Sequence, residues 1–205
     1  MSTCFIFILI YYLCAINSVT MIFQRFFVWL KRCTHSRGFG VQSPNDYRFV
    51  RYVINEHYPY YAYSELKKTN LKYGWLSHKL GRLYFRIANH CQPKTVINLL
   101  SDADFYDQYI RRGCLKARIY HDVNISEKAD IILISDNSIP LADIFGLMHP
   151  HSILIVEGIK KNEQAKQLWN IITETECVKI SFDLYYAGVA LLDEKRYKQH
   201  YKINF

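Results

Sequence analysis

Apolar residues along this chain fall into two alternating patterns. Ile131 to Ile134 and Ile153 to Val156 are short unbroken runs of isoleucine, leucine and valine, and each is closely followed by a carboxylate, Asp136 and Glu157. Between them, Leu141 to Met148 is long enough for two turns of helix. Unbroken β-branched runs separated by helical spacers mark a parallel sheet buried on both faces. Thr95 to Leu100 (TVINLL) predicts an earlier strand, followed by a helix over Asp102 to Arg112. Ala117 to His121 predicts a short strand. Only about eight residues separate it from Ile131, too few for a helical crossover between parallel neighbours. That strand must therefore lie beyond the first one or fall outside the sheet. After Gly158, Ala165, Leu168, Trp169 and Ile172 give one face to a helix over Glu163 to Thr173. Val178 to Leu184 and Gly188 to Leu192 then form a hairpin around Tyr185, Tyr186 and Ala187.

The first part of the chain follows helical spacing. Leu80, Leu83, Tyr84, Ile87, Ala88 and Cys91 make an apolar stripe on a helix over Leu76 to Cys91, with Lys79, Arg82, Arg86 and Asn89 opposite. Gln92-Pro93 stops it. Ser43-Pro44 supplies an N-cap and first-turn pair for a helix that shows Tyr47, Val50 and Ile54 on one face and ends near His57. Tyr58 to Tyr63 (YPYYAY) predicts a turn with exposed rings, His35 to Ser43 a glycine-containing loop, and residues 22–33 a short aromatic helix. Tyr197 to Phe205 closes the chain. The whole predicts an α/β fold, a mostly parallel Rossmann-like sheet with a C-terminal antiparallel hairpin, preceded by helices. Ligands of such a sheet gather at the carboxyl ends of its strands. The segments ending near Leu100, Ile134 and Val156 should share that rim.

Composition adds an asymmetry. The 205 residues carry a net charge of +8, and half of them are hydrophobic, ample for a core. From Met21 to Lys94 there are 13 Lys and Arg against 3 Asp and Glu; from Thr95 onward, 13 against 15. The front part, rich in tyrosine, suits an anionic partner such as nucleic acid or an anionic surface through residues 21–94, or simply a solvated cationic face. Residues 1–20 hold no charge, and Cys4 to Ile16 is an apolar run of 13 residues, short of a membrane span. Either translation starts at Met21, or residues 4–23 anchor the chain with Arg25, Lys31 and Arg32 on the cytoplasmic side. The expected division is an apolar leader or early start over 1–20, a basic helical region over 21–93 and the α/β domain over 94–205. Six scattered cysteines without a CxxC pair argue against zinc and suit the reducing cytoplasm.

Several stretches carry a family likeness. RGFGVQSPNDYRFVRYVI resembles the RGxGxxSP-type opening of a class I S-adenosylmethionine-dependent methyltransferase-like group of Bacteroidetes. QPKTVINL, ADIILISD and HSILIVEG are similar to that group's first, fourth and fifth strands, and VKISFDLYYAGVALLDEKRYKQHYKINF to its terminal hairpin and tail. The likeness runs from Met21 to Phe205. It implies a Rossmann-like methyltransferase sheet, S-adenosylmethionine as cofactor and an unidentified small or macromolecular methyl acceptor. It also implies cofactor contacts at Asn98, Ser101, Asp122 and Asp136, with Asp136 and Glu157 as catalytic carboxylates. Relatives that methylate oxygen add a divalent metal, for which Asp136, Asn137 and Glu157 are hard oxygen ligands suited to Mg²⁺.

The chain departs from this pattern in two places. The family's first strand ends in an acid and a glycine-rich loop, where backbone comes close to the cofactor because no Cβ intervenes. Here the same stretch, Asn98 to Asp104, contains no glycine. The second strand and its ribose-binding acid shrink to RIYHDVN, with Asp122 the remaining acid. A degenerate member with weakened or lost catalysis is expected, or a non-catalytic binding protein that uses its basic aromatic front. Other residues admit a functional and a plain reading. Asp136 and Asn137 could form an Asx-type turn, and Glu157 could cap the next helix. His149 and His151 read as turn residues, Asp183 to Tyr186 as a hairpin tip within reach of an acceptor, and His35 with Arg37 as an anion grip or a loop brace.

Overall fold

The computed structural model describes residues 23, 26–35, 38–193 and 195–205. Helix α1 (26–32) runs into a 3-10 turn at Cys33–His35. Then come α2 (Pro44–Phe49) continuing as a π-turn (Val50–Ile54), α3 (Tyr61–Thr69) and α4 (Trp75–Cys91). The α/β part follows as β1 (Thr95–Asn98), α5 (Ala103–Gly113), β2 (Arg118–Tyr120), β3 (Ala129–Ile134), α6 (Leu141–Gly146), β4 (Met148–Glu157) and α7 (Glu163–Glu174). It closes with β5 (Val178–Asp183), β6 (Ala187–Leu192) and β7 (Gln199–Lys202). The strands form one seven-stranded sheet in the order β2-β1-β3-β4-β6-β5-β7. β2, β1, β3 and β4 are parallel; β6 is antiparallel to both β4 and β5, and β7 runs parallel to β5 at the edge. This is the mostly parallel Rossmann-like sheet with a C-terminal antiparallel hairpin that the patterns predict. β2 takes the first of its two predicted places, outside β1, and no strand among the described residues lies beyond it.

Side chains alternate across the sheet, and the two cores follow from that alternation. Val96, Ile131, Leu133, Ile153 and Ile155 face α4 and α5. Ile97, Ile132, Ile134, Leu154 and Val156 face α6 and α7, where Leu168, Trp169 and Ile172 meet them. Gly188 is what lets Trp169 lie flat on β6, because a Cβ there would fall inside the indole ring. α4 is buried on most of its circumference, between the sheet on one side and the π-turn and α3 on the other.

Three local expectations need correcting, and one strand was not foreseen. Arg86 does not face solvent: it is buried, and its guanidinium donates to the carbonyls of Val53 (2.5 Å) and Ile54 (2.8 Å), which the π-turn leaves open. Tyr47 is exposed while Val50 and Ile54 pack inward, because the π-turn shifts the helical register. Tyr58–Tyr63 is not simply a turn with exposed rings, since α3 begins at Tyr61 and Tyr63 is buried. The tail is a strand, β7, whose pairing with β5 spans too much sequence for local patterns to reveal. The apolar stretch at residues 4–23 lies outside the described residues, apart from Phe23. No helix among the described residues is long and apolar enough to cross a membrane.

The opening and closing motifs meet in space. Ser43 caps α2 by accepting from the Asp46 N–H, and Pro44 stands at its first position. Asp46, almost fully buried, accepts from Arg196 (2.6 Å) and from the Tyr201 hydroxyl (3.2 Å). Arg196 also donates to the Ser43 hydroxyl. A buried carboxylate is tolerated only when paired and hydrogen-bonded, so these residues form a joint that docks the tail on α2. Asp46→Ala strands both donors and should cost about 1.5–3 kcal/mol, read as a lower urea midpoint with an unchanged m-value. A midpoint equal to that of the parent chain would show that the joint does not hold.

Candidate functional site

The carboxyl ends of the parallel strands lie side by side. Asn98 is level with Leu133, and Ile134 with Val156, so the segments after β1, β3 and β4 open onto one rim. Glu157, the last residue of β4, follows Ile153 and Ile155 in the two-residue alternation and therefore points toward α4 and α5. There its two oxygens accept from the hydroxyls of Tyr84 (2.8 Å) and Tyr106 (3.3 Å). The two rings sit edge to face, 4.9 Å apart. Burial raises the Glu157 pKa above the ordinary glutamate range, against the opposing pull of the two phenols. Burial and the neighbouring carboxylate push both tyrosines well up, so the phenols stay protonated as donors. Glu157 does not cap a helix; it ties β4 to α4 and α5.

A second network closes the end of β1. Asn98 donates its amide to Asp107 Oδ1 (2.7 Å) and to the Ala103 carbonyl (3.2 Å), while its own oxygen accepts from the Leu100 N–H (3.3 Å). The other Asp107 oxygen meets His121 Nε2 at 2.8 Å, just past the end of β2. Asn98 is thus fully engaged within the β1–α5 turn. Leu100 and Tyr106 are buried beside it, and Ser101 is exposed in the turn itself.

The remaining sequence candidates lie around this rim or away from it. Asp136 is exposed and accepts from the Ser138 N–H at 2.9 Å, an Asx-type turn. Hydrogen bonds from Ser138 hold its pKa below the ordinary aspartate value, with Lys161 adding a favourable charge. Lys161 also favours the charged form of Glu157, so one ammonium lies near both carboxylates. Asn137 is exposed beside Asp136. Asp122 is exposed and makes its own Asx-type turn to the Asn124 N–H (2.8 Å). His149 sits at the amino end of the sheet, 3.1 Å from Asp130, far from the rim. At the hairpin tip, burial would raise Asp183, but Arg32, the Tyr185 N–H and Lys160 outweigh it and hold the carboxyl below its usual range. Of His35 and Arg37, the second lies outside the described residues.

Magnesium at Asp136, Asn137 and Glu157 finds no support. Both Glu157 oxygens are taken by phenols, and the described residues hold no group of three or more His, Cys, Asp and Glu able to bind a metal ion. Sequence reasoning assigned no role to Tyr84, Tyr106, Asp107 or His121. Tyr84 was visible only as part of an apolar stripe, and a hydroxyl on such a stripe is the one sign that a polar partner waits across the core.

No family model matches the chain, and no curated protein matches it either. Among solved structures, the chain is similar to SAH-bound methyltransferase PaMTH1 of Podospora anserina, with 11% identity over 75% of this chain and 97% of that one and a TM-score of 0.52. O-methyltransferase TomG of Streptomyces achromogenes, in complex with SAM, scores 0.48 at 11% identity, covering 70% of this chain and 95% of its own. The first of these carries the likeness, and it is a likeness of fold: the chain has the class I methyltransferase architecture.

The burial of Glu157 has a pH signature. Its raised pKa means that, above the ordinary glutamate value near 4.5, the folded chain keeps a proton the unfolded chain has released. Stability therefore falls as pH rises from there through the folded pKa. Glu157→Gln lacks that proton, so its unfolding free energy should be flatter across the same window in urea titrations. A parallel pH profile for the two proteins would rule out this placement of the carboxylate.

Proposed function

We propose that the chain is a methyltransferase-fold protein whose S-adenosylmethionine binding and catalysis are weakened. The observation that carries this reading is the glycine-free β1–α5 turn, in which Asn98 turns its amide inward to Asp107 instead of toward a ligand. A cofactor held as in the resembled family would lie over this turn, and there Cβ atoms replace the open backbone of a glycine loop. The bound SAH and SAM of the similar structures belong to those proteins. Methyl transfer from a sulfonium depends mainly on positioning in a dry, shaped pocket. Here Leu100, Tyr106 and the phenol-bound Glu157 take up the inner side of the rim. Asp136 and Ser101 stand on its open side and are the residues left to meet an adenosine.

A second reading, a non-catalytic protein that binds an anionic partner through the basic helical region, is favoured by a cleft on those helices. Isothermal titration of the full chain with SAM and with SAH tests the first reading, and salt-sensitive binding of RNA or anionic vesicles tests the second. For SAM and SAH the expected result is no saturable binding up to about 1 mM, equivalent to a binding free energy weaker than about 4 kcal/mol. Micromolar binding that is lost in Asp136→Ala would overturn the proposal and restore an active cofactor site.

A further inference from the structure

The N-terminal helices line an open cleft of about 810 Å³ between the π-turn, α3 and the first half of α4. Its volume lies in the range of small-ligand pockets, about 300–1,000 Å³. None of Asn98, Ser101, Asp136 and Glu157 lines it. Three residues of its lining, Asn55, Tyr63 and Arg82, carry a buried polar atom without a hydrogen-bond partner: Nδ2, Oη and Nε. Buried polar atoms left unmet are costly, but these have almost no accessible surface and do not reach the cleft; the Arg82 guanidinium itself lies over the Tyr63 ring at 5.2 Å. The neighbouring Arg86 is already committed to backbone carbonyls.

The charge and the rings around this cleft narrow the ligand. Burial lowers the pKa of His78 in the same wall, and the positive charges of Arg82 and Lys67 lower it further, which marks a positive potential inside the cleft. Glu56, the acid of the lining, is bonded through both oxygens to the Tyr60 hydroxyl at 3.2 and 3.1 Å. Tyr60 is held edge to face against Tyr58 (5.0 Å), and Tyr61 stands at the mouth with its ring almost wholly exposed. Accessible rings beside cationic side chains suit a planar base joined to a phosphate, because stacking accepts any base and the cations take the phosphate.

We propose that this cleft binds a nucleotide, free or as a unit of single-stranded RNA, with Lys67 and Arg82 facing its phosphate and Tyr61 stacking on its base. The site is separate from the strand-end rim, so it stands whether or not the rim holds a cofactor.

Titration of the full chain with AMP, with a short single-stranded RNA and with inorganic phosphate tests the proposal. Saturable binding of AMP or RNA is expected, weakened about tenfold in Tyr61→Ala and also weakened in Lys67→Ala. Both side chains are exposed, so thermal melts of the two variants should match the parent, and Arg82→Gln should weaken binding further. Glu157→Gln should leave it unchanged, which keeps this result distinct from that of the rim. RNA binding far tighter than AMP, and steeply salt-dependent, assigns the polymer; similar affinities assign the free nucleotide. Absence of binding by both ligands at millimolar concentration, or affinity untouched by Tyr61→Ala and Lys67→Ala, would overturn the proposal. So would inorganic phosphate binding as tightly as AMP.

Discussion

A carboxylate at the end of a strand buried on both faces must be either hydrated or hydrogen-bonded, and at Glu157 two phenols do the bonding. This interaction sets much of the architecture around it. Tyr84 lies midway along α4 and Tyr106 in the first turns of α5, so the two bonds hold both helices against the sheet at its carboxyl rim. Hydrogen bonds to a charged acceptor are about twice as strong as neutral ones, and here they operate where water is largely excluded. The Asn98–Asp107–His121 chain repeats the arrangement two strands further out, joining β1, α5 and the end of β2. Together the two networks engage Glu157 and Asn98 in internal contacts at the end of the sheet, while Ser101 and Asp136 stay exposed beside them.

The sheet was readable because its strands are buried on both faces and so appear as unbroken apolar runs. The hairpin and α4, α5 and α7 were readable from spacing. What escaped depended on contacts distant in sequence. Arg86 looked like the polar face of α4 because a guanidinium is usually solvated; only the open carbonyls of the π-turn, more than thirty residues earlier, make its burial favourable. β7 escaped because Gln199–Lys202 is polar and gains its strand character from β5 alone. At the rim, the carboxylates Asp136 and Glu157 could be located from the runs they follow, yet their settings differ. One is an exposed turn residue and the other is enclosed, and alternation along β4 decides which.

The resemblance to a methyltransferase-like group rested most on the opening and closing motifs, and these form a structural joint. Ser43 and Asp46 from the first meet Arg196 and Tyr201 from the second. Such motifs trace shared architecture more directly than shared chemistry. Fold and function separate easily in this way, since activity resides in the site and the scaffold only positions it. The basic helical region, by contrast, lines an open cleft with cationic side chains and tyrosine rings.

Arg32 shows how the two ends of the molecule depend on each other in time. Its guanidinium donates to the carbonyls of Asp183 and Ile203, the latter 171 residues away. During synthesis at roughly 5–20 residues per second, α1 emerges on the order of ten to thirty seconds before its partner exists. Until Ile203 is made, Arg32 lacks one of its carbonyl acceptors, so the docking of α1 on the hairpin tip is completed only after β7.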